Sequence, residues 1–134
     1  NPSLSHMLEG FFYGQKKLSI ISFSYIVPIR KDNLYMKNTI DFYYFRNWFL
    51  NSQYKNNFSV DGLSSLYDYL VNLEEEMETE FNFDPVAFAC EYSEYENFEE
   101  IKENYDSIET IQDLENNTTI IDVVGTDRLI IQNF

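Results

Sequence analysis

The sequence predicts an α+β fold: two N-terminal helices followed by a small antiparallel sheet with short helices on one face. Three observations lead there. Apolar residues recur at helical intervals between Thr39 and Glu78. Beyond Asp84 the pattern shifts to alternation, Val86, Phe88, Cys90 and Tyr92 against Ala87, Ala89 and Glu91. Finally, two β-branched runs near the C-terminus flank Gly125-Thr126-Asp127, a hairpin signal.

In the first helix Phe42, Phe45 and Phe49, with Trp48 beside them, share one face, and Thr39 is the expected N-cap. The polar run Asn51–Asn57 should end it. Ser59 then caps a second helix with Asp61 in its first turn. Its stripe, Leu63, Leu66, Leu70, Leu73 and Met77, carries it to about Glu78. The alternating run VAFACEY reads as a strand with Cys90 as a small core residue. Asn97 starts a short helix with Glu100 in capping-box position and Phe98, Ile101 and Tyr105 inward. A turn or two around Ile108, Ile111 and Leu114 follows, then strands over Thr118–Val124 and Arg128–Phe134.

Residues 36–134 form one domain in this reading. The opening NPSLSHM (residues 1–7) reads as cloning residue, His-Met being a common vector junction. Residues 8–35 form an extension with one strand, Leu18 to Val27, closed by Pro28. Arg30-Lys31-Asp32 could be encoded AGG-AAG-GAT, a ribosome-binding sequence just upstream of Met36, so this extension is also readable as a translated leader. The run Leu18–Ile29 is too short and too interrupted by serine to span a bilayer.

The net charge of −14 is unevenly placed. Residues 71–115 hold sixteen acids against Lys102 alone, whereas residues 1–70 are net +2. With 12 Phe and 11 Tyr the chain can still bury a core, which separates it from disordered acidic tails. Such a charge excludes direct binding to nucleic acid or an anionic membrane and implies a basic partner. One cysteine allows no internal disulfide and suits a reducing cytoplasm.

Little in the chain points to catalysis. The only histidine, His6, lies in the suspected cloning residue, so a serine or cysteine nucleophile has no usual base. No phosphate-cradling glycine motif, calcium loop or Cys/His metal pair is present, and no cofactor is expected. The acids themselves remain. Glu74, Glu75, Glu76, Glu78 and Glu80 crowd a helix C-terminus, where the dipole disfavours them by roughly 0.3–1 kcal/mol each. Asp84, Glu91, Glu94, Glu96, Glu99, Glu100 and Glu103 extend the series, and Tyr95 supplies rigid contact surface among them. A solvated face that keeps an aromatic-rich chain soluble is the plain reading. The functional reading is a partner-binding surface that imitates DNA phosphates. Its geometry would be a ridge of about 23 Å, with two helices on one sheet face at the ends of a seven-residue strand.

The stretch FNFDPVAFACEYSEYENFEEI, followed by NNTTIIDVVGTDRLIIQNF, resembles small acidic proteins carried by phages and mobile elements of AT-rich bacteria. That group includes ArdA-like antirestriction proteins and many anti-CRISPR proteins. The resemblance covers roughly residues 37–134, and to ArdA it is one of acidic character rather than whole-chain alignment. It implies a non-enzymatic inhibitor in the cytoplasm of a bacterial host, occupying the basic nucleic-acid or PAM-binding groove of a defence nuclease, anti-CRISPR ahead of antirestriction. Two other readings stand beside it: an acidic regulatory or assembly module for a basic host protein unrelated to defence, and a carboxylate-dependent hydrolase.

Overall fold

A computed structural model describes residues 40–134. The expected N-cap Thr39, the strand over Leu18–Val27, residues 1–7 and the suggested leader lie outside the described residues.

Helix α1 (Phe42–Leu50) is capped by Asp41 and not by the expected Thr39: the Asp41 carboxylate accepts from the Tyr44 backbone N–H at 2.8 Å. Phe45 and Phe49 point inward, and the chain turns through the polar run after Leu50, as its composition requires. Helix α2 (Val60–Met77) begins at Ser59, whose hydroxyl accepts from Gly62 N–H at 2.9 Å. Its whole predicted stripe is buried: Leu63, Leu66, Leu70, Leu73 and Met77. The helix closes with Glu78 in the left-handed conformation (φ 52°), which lets Thr79 N–H reach Glu74 C=O at 3.2 Å and Glu78 N–H reach Glu75 C=O at 3.3 Å.

The next segment departs from expectation. Pro85–Glu91 is a helix, α3, and not a strand. Asp84 caps it through the Ala87 N–H at 3.1 Å, and Pro85 takes the first turn, where its missing N–H costs nothing. Pro85, Phe88, Ala89 and Tyr92 are buried, at helical spacing, while Val86 (45 % exposed) and Cys90 face outward. Cys90 is therefore a surface residue and not the core residue expected. The strand begins later, as β1 (Tyr92–Tyr95).

Helix α4 (Phe98–Asn104) starts at Asn97, which accepts from Glu100 N–H at 3.0 Å. Helix α5 (Ile111–Asn117) opens with a capping box between Thr110 and Asp113. Ile108 and Leu114 are buried, whereas Ile111 is 43 % exposed. Strands β2 (Ile120–Asp122) and β3 (Leu129–Gln132) form the hairpin around Gly125, whose φ of 80° suits a residue without Cβ.

The sheet is antiparallel in the order β1-β3-β2. Tyr92 pairs with Gln132 and Glu94 with Ile130, while Ile130 also pairs with Ile121. One face, bearing Tyr92, Ile121 and Ile130, packs against α1, α2 and α3 in the larger core. The other, bearing Tyr95, Ile120, Leu129 and Ile131, packs against Ile101, Ile108 and Leu114 of the α4–α5 region. The α+β class holds. The short helices α4 and α5 share a face, and the remaining helices cover the opposite one.

Candidate acidic interface

The two sheet faces divide the acids. Those at the end of α2 belong to the layer on the larger core, and those of α4 to the layer on the smaller one. The expected single ridge needed both helices on the same face of a Pro85–Tyr92 strand. That strand is mostly helix α3, and seven helical residues advance only about 10 Å. The continuous ridge of about 23 Å is thus not formed.

Several of the expected contact acids serve the fold. Glu74 is 3 % exposed, and its carboxylate accepts from Phe81 N–H at 2.6 Å, pinning the chain as it leaves α2. Glu94 has a side chain 1 % exposed. It accepts from Ser59 N–H at 3.0 Å, from Ser59 Oγ at 2.7 Å and from Arg128 Nε, tying the start of α2 to β1 and β3. Neither residue is on the surface where the sequence reading put it. The reason is the same in both: a carboxylate that meets donors brought in by the fold can be buried, and sequence spacing does not show who those donors are. Asp84 is the cap of α3, and Glu100 reaches back to the Glu96 N–H at 2.5 Å. Glu80 and Glu91 are half-buried.

Tyr95 also differs from expectation. It lies in β1 opposite Leu129, half-buried against the smaller core, and not in a free loop. Burial, with the neighbouring Tyr105, pushes its hydroxyl up to about 12. It helps build the surface from below.

Glu75, Glu76 and Glu78 at the end of α2 are exposed, as are Glu96, Glu99 and Glu103 on and beside α4. Asp106, Glu109 and Glu115, absent from the expected contact set, are exposed too and prolong the α4 group toward α5. Lys102 alone offsets them, and it is engaged by Glu99 at 3.4 Å and lies 5.7 Å from the Phe98 ring. Sequence reasoning overlooked Phe134, which stacks on Tyr105 with centroids 4.3 Å apart and rings 10° from parallel. Nothing in the run Arg128–Asn133 before it marks it out; only the fold brings its ring to Tyr105.

Among the described residues no group of His, Cys, Asp or Glu is placed to hold a metal ion, and no helix is long and apolar enough to cross a membrane. Glu75, Glu76 and Glu78 and the α4 group present their carboxylates to solvent. No family model matches the chain, and neither a curated protein nor a solved structure is significantly similar to it.

Proposed function

We propose that the chain is a non-enzymatic inhibitor of a bacterial DNA-targeting defence nuclease, an anti-CRISPR protein rather than an antirestriction protein, acting in the host cytoplasm. It occupies a basic nucleic-acid-binding surface of the nuclease. One observation carries the reading: Glu96, Glu99, Glu103, Asp106 and Glu109 stand exposed in a short stretch whose only cation, Lys102, is already paired. Carboxylates so placed meet the arginines that nucleases use on phosphates and base edges. The contact is the α4 group, with Glu75, Glu76 and Glu78 as a separate second patch.

The absence of a continuous ridge favours one alternative, an acidic regulatory or assembly module for a basic host protein outside defence, because such a partner need not match the spacing of duplex phosphates. Phage plaquing on a host with active RNA-guided immunity separates the two. Expression of the chain should restore plaques, and Glu99→Lys combined with Glu103→Lys should abolish the rescue while leaving the fold intact. Failure of the unaltered chain to rescue plaquing against any such system would leave the assembly module as the reading.

A further inference from the structure

Resting on the acidic-interface reading, we infer that the Tyr105–Phe134 pair is an anchoring point for arginine side chains of the basic partner. Phe134 has one ring face against Tyr105, and it remains 46 % exposed. It is the only large aromatic besides Tyr43 and Tyr44 left so open among the described residues. Tyr105 is held from beneath, packed on the smaller core and in hydrogen-bonding reach of Tyr95. Glu103, two residues before it, and Asp106, directly after it, are exposed carboxylates.

The same helix shows the intended pairing with its own cation. Lys102 combines a carboxylate, Glu99, at 3.4 Å with a ring, Phe98, at 5.7 Å. Arg46 likewise lies over the Tyr43 ring at 5.2 Å. Among the described residues no cation lies over Tyr105 or Phe134. A ring pair whose Tyr105 lies within residues 71–115, a stretch of net charge −15, complements a planar cation. Guanidinium fits better than ammonium, since it stacks flat on a ring while its edge donors engage carboxylate oxygens, and it is more weakly hydrated.

The test compares an oligoarginine and an oligolysine of equal length by calorimetry against the full chain and its Phe134→Leu variant. Leucine keeps apolar area and removes the ring. The unaltered chain should bind oligoarginine more tightly, by roughly two- to five-fold for each ring-engaged guanidinium. Phe134→Leu should erase that margin and leave oligolysine affinity unchanged, with an unaltered circular dichroism spectrum showing that the variant is folded. Equal affinity for both peptides overturns the anchor and leaves the acidic interface standing. A preference that survives in Phe134→Leu assigns it to carboxylate forks alone and likewise overturns the anchor. Binding of neither peptide overturns both readings.

Discussion

The buried carboxylate of Glu94 dictates what its neighbours can be. A Cβ added at Gly62 would lie 1.8 Å from Glu94 Oε1, and that oxygen has little freedom, since the same carboxylate is held by Ser59 and Arg128. Alanine normally gains about 1 kcal/mol over glycine within a helix. Displacing the Glu94 carboxylate loosens its bonds to Ser59 and its pair with Arg128, which is itself 35 % exposed, and pushes a buried charge off its donors, so Gly62→Ala should destabilise by about 1 kcal/mol net. Denaturant titration measures this, and a stabilised Gly62→Ala would show that the node yields freely. The opposite sign is expected at Glu78, a non-glycine residue at φ 52°. Glu78→Gly removes that strain and completes a common helix ending, so it should raise stability by about 1 kcal/mol. A loss there would mean that the Glu78 side chain itself holds the turn. The sequence exposed the conflict between acids and the α2 dipole but not its partial resolution. Glu74 reads like its neighbours in a run of like residues, and only the returning chain, seven residues on, supplies the Phe81 donor.

Elements with both a cap and a stripe were legible. Ser59 and the leucines located α2 nearly to the residue, and Asn97 located α4. The misread element was α3, where period-two and period-3.6 patterns both fit a seven-residue run. The decisive signs were Asp84 and Pro85, a cap followed by a residue suited to the first helical turn. Weighting them over the alternation of Val86, Phe88 and Cys90 would have moved the strand to Tyr92 and placed Tyr95 within it. Asp84→Ala should therefore cost about 1 kcal/mol, as for other lost caps, with Asp84→Asn close to neutral. Equal stability for the alanine and asparagine variants in denaturant titration would show that Pro85 and packing suffice to start α3.

At the scale of the molecule, two cores share one thin sheet, and each holds a tyrosine against ionisation. Burial pushes the Tyr69 hydroxyl up to about 12 in the larger core, and burial with Tyr105 does the same for Tyr95 in the smaller. Tyrosine in the unfolded chain ionises near 10. Above that pH the unfolded state sheds protons that the folded state keeps, so the contribution is intact below pH 10 and lost as pH rises toward 12. Thermal melts between these limits should show a falling Tm, blunted in Tyr69→Phe and in Tyr95→Phe. A decline as steep in both variants would assign alkaline loss to other groups.

From the charge asymmetry, the fold and the proposed partner contact are expected to respond to salt in opposite directions. Nine exposed glutamates and aspartates, from Glu75 to Glu115, repel one another at neutral pH with Lys102 as the one cation in their stretch. Raising ionic strength from about 0.01 M to 1 M shortens the screening length from roughly 30 Å to 3 Å. Repulsion that opposes the compact state is thereby relieved, and a relief of even 1 kcal/mol raises the Tm of a domain this size by about 4–8 °C. The pinned carboxylates of Glu74 and Glu94 hold their donors within 3.0 Å and are screened far less, so the fold loses little as salt rises. The proposed contact with a basic partner rests on the same exposed acids, so its affinity should fall over the same range. A Tm that rises with salt while binding weakens places these acids where they cost the fold and serve recognition. A Tm that falls along with binding would mean that the exposed acids are held by attractive pairs within the chain, and an interface reserved for an outside cation would then be excluded.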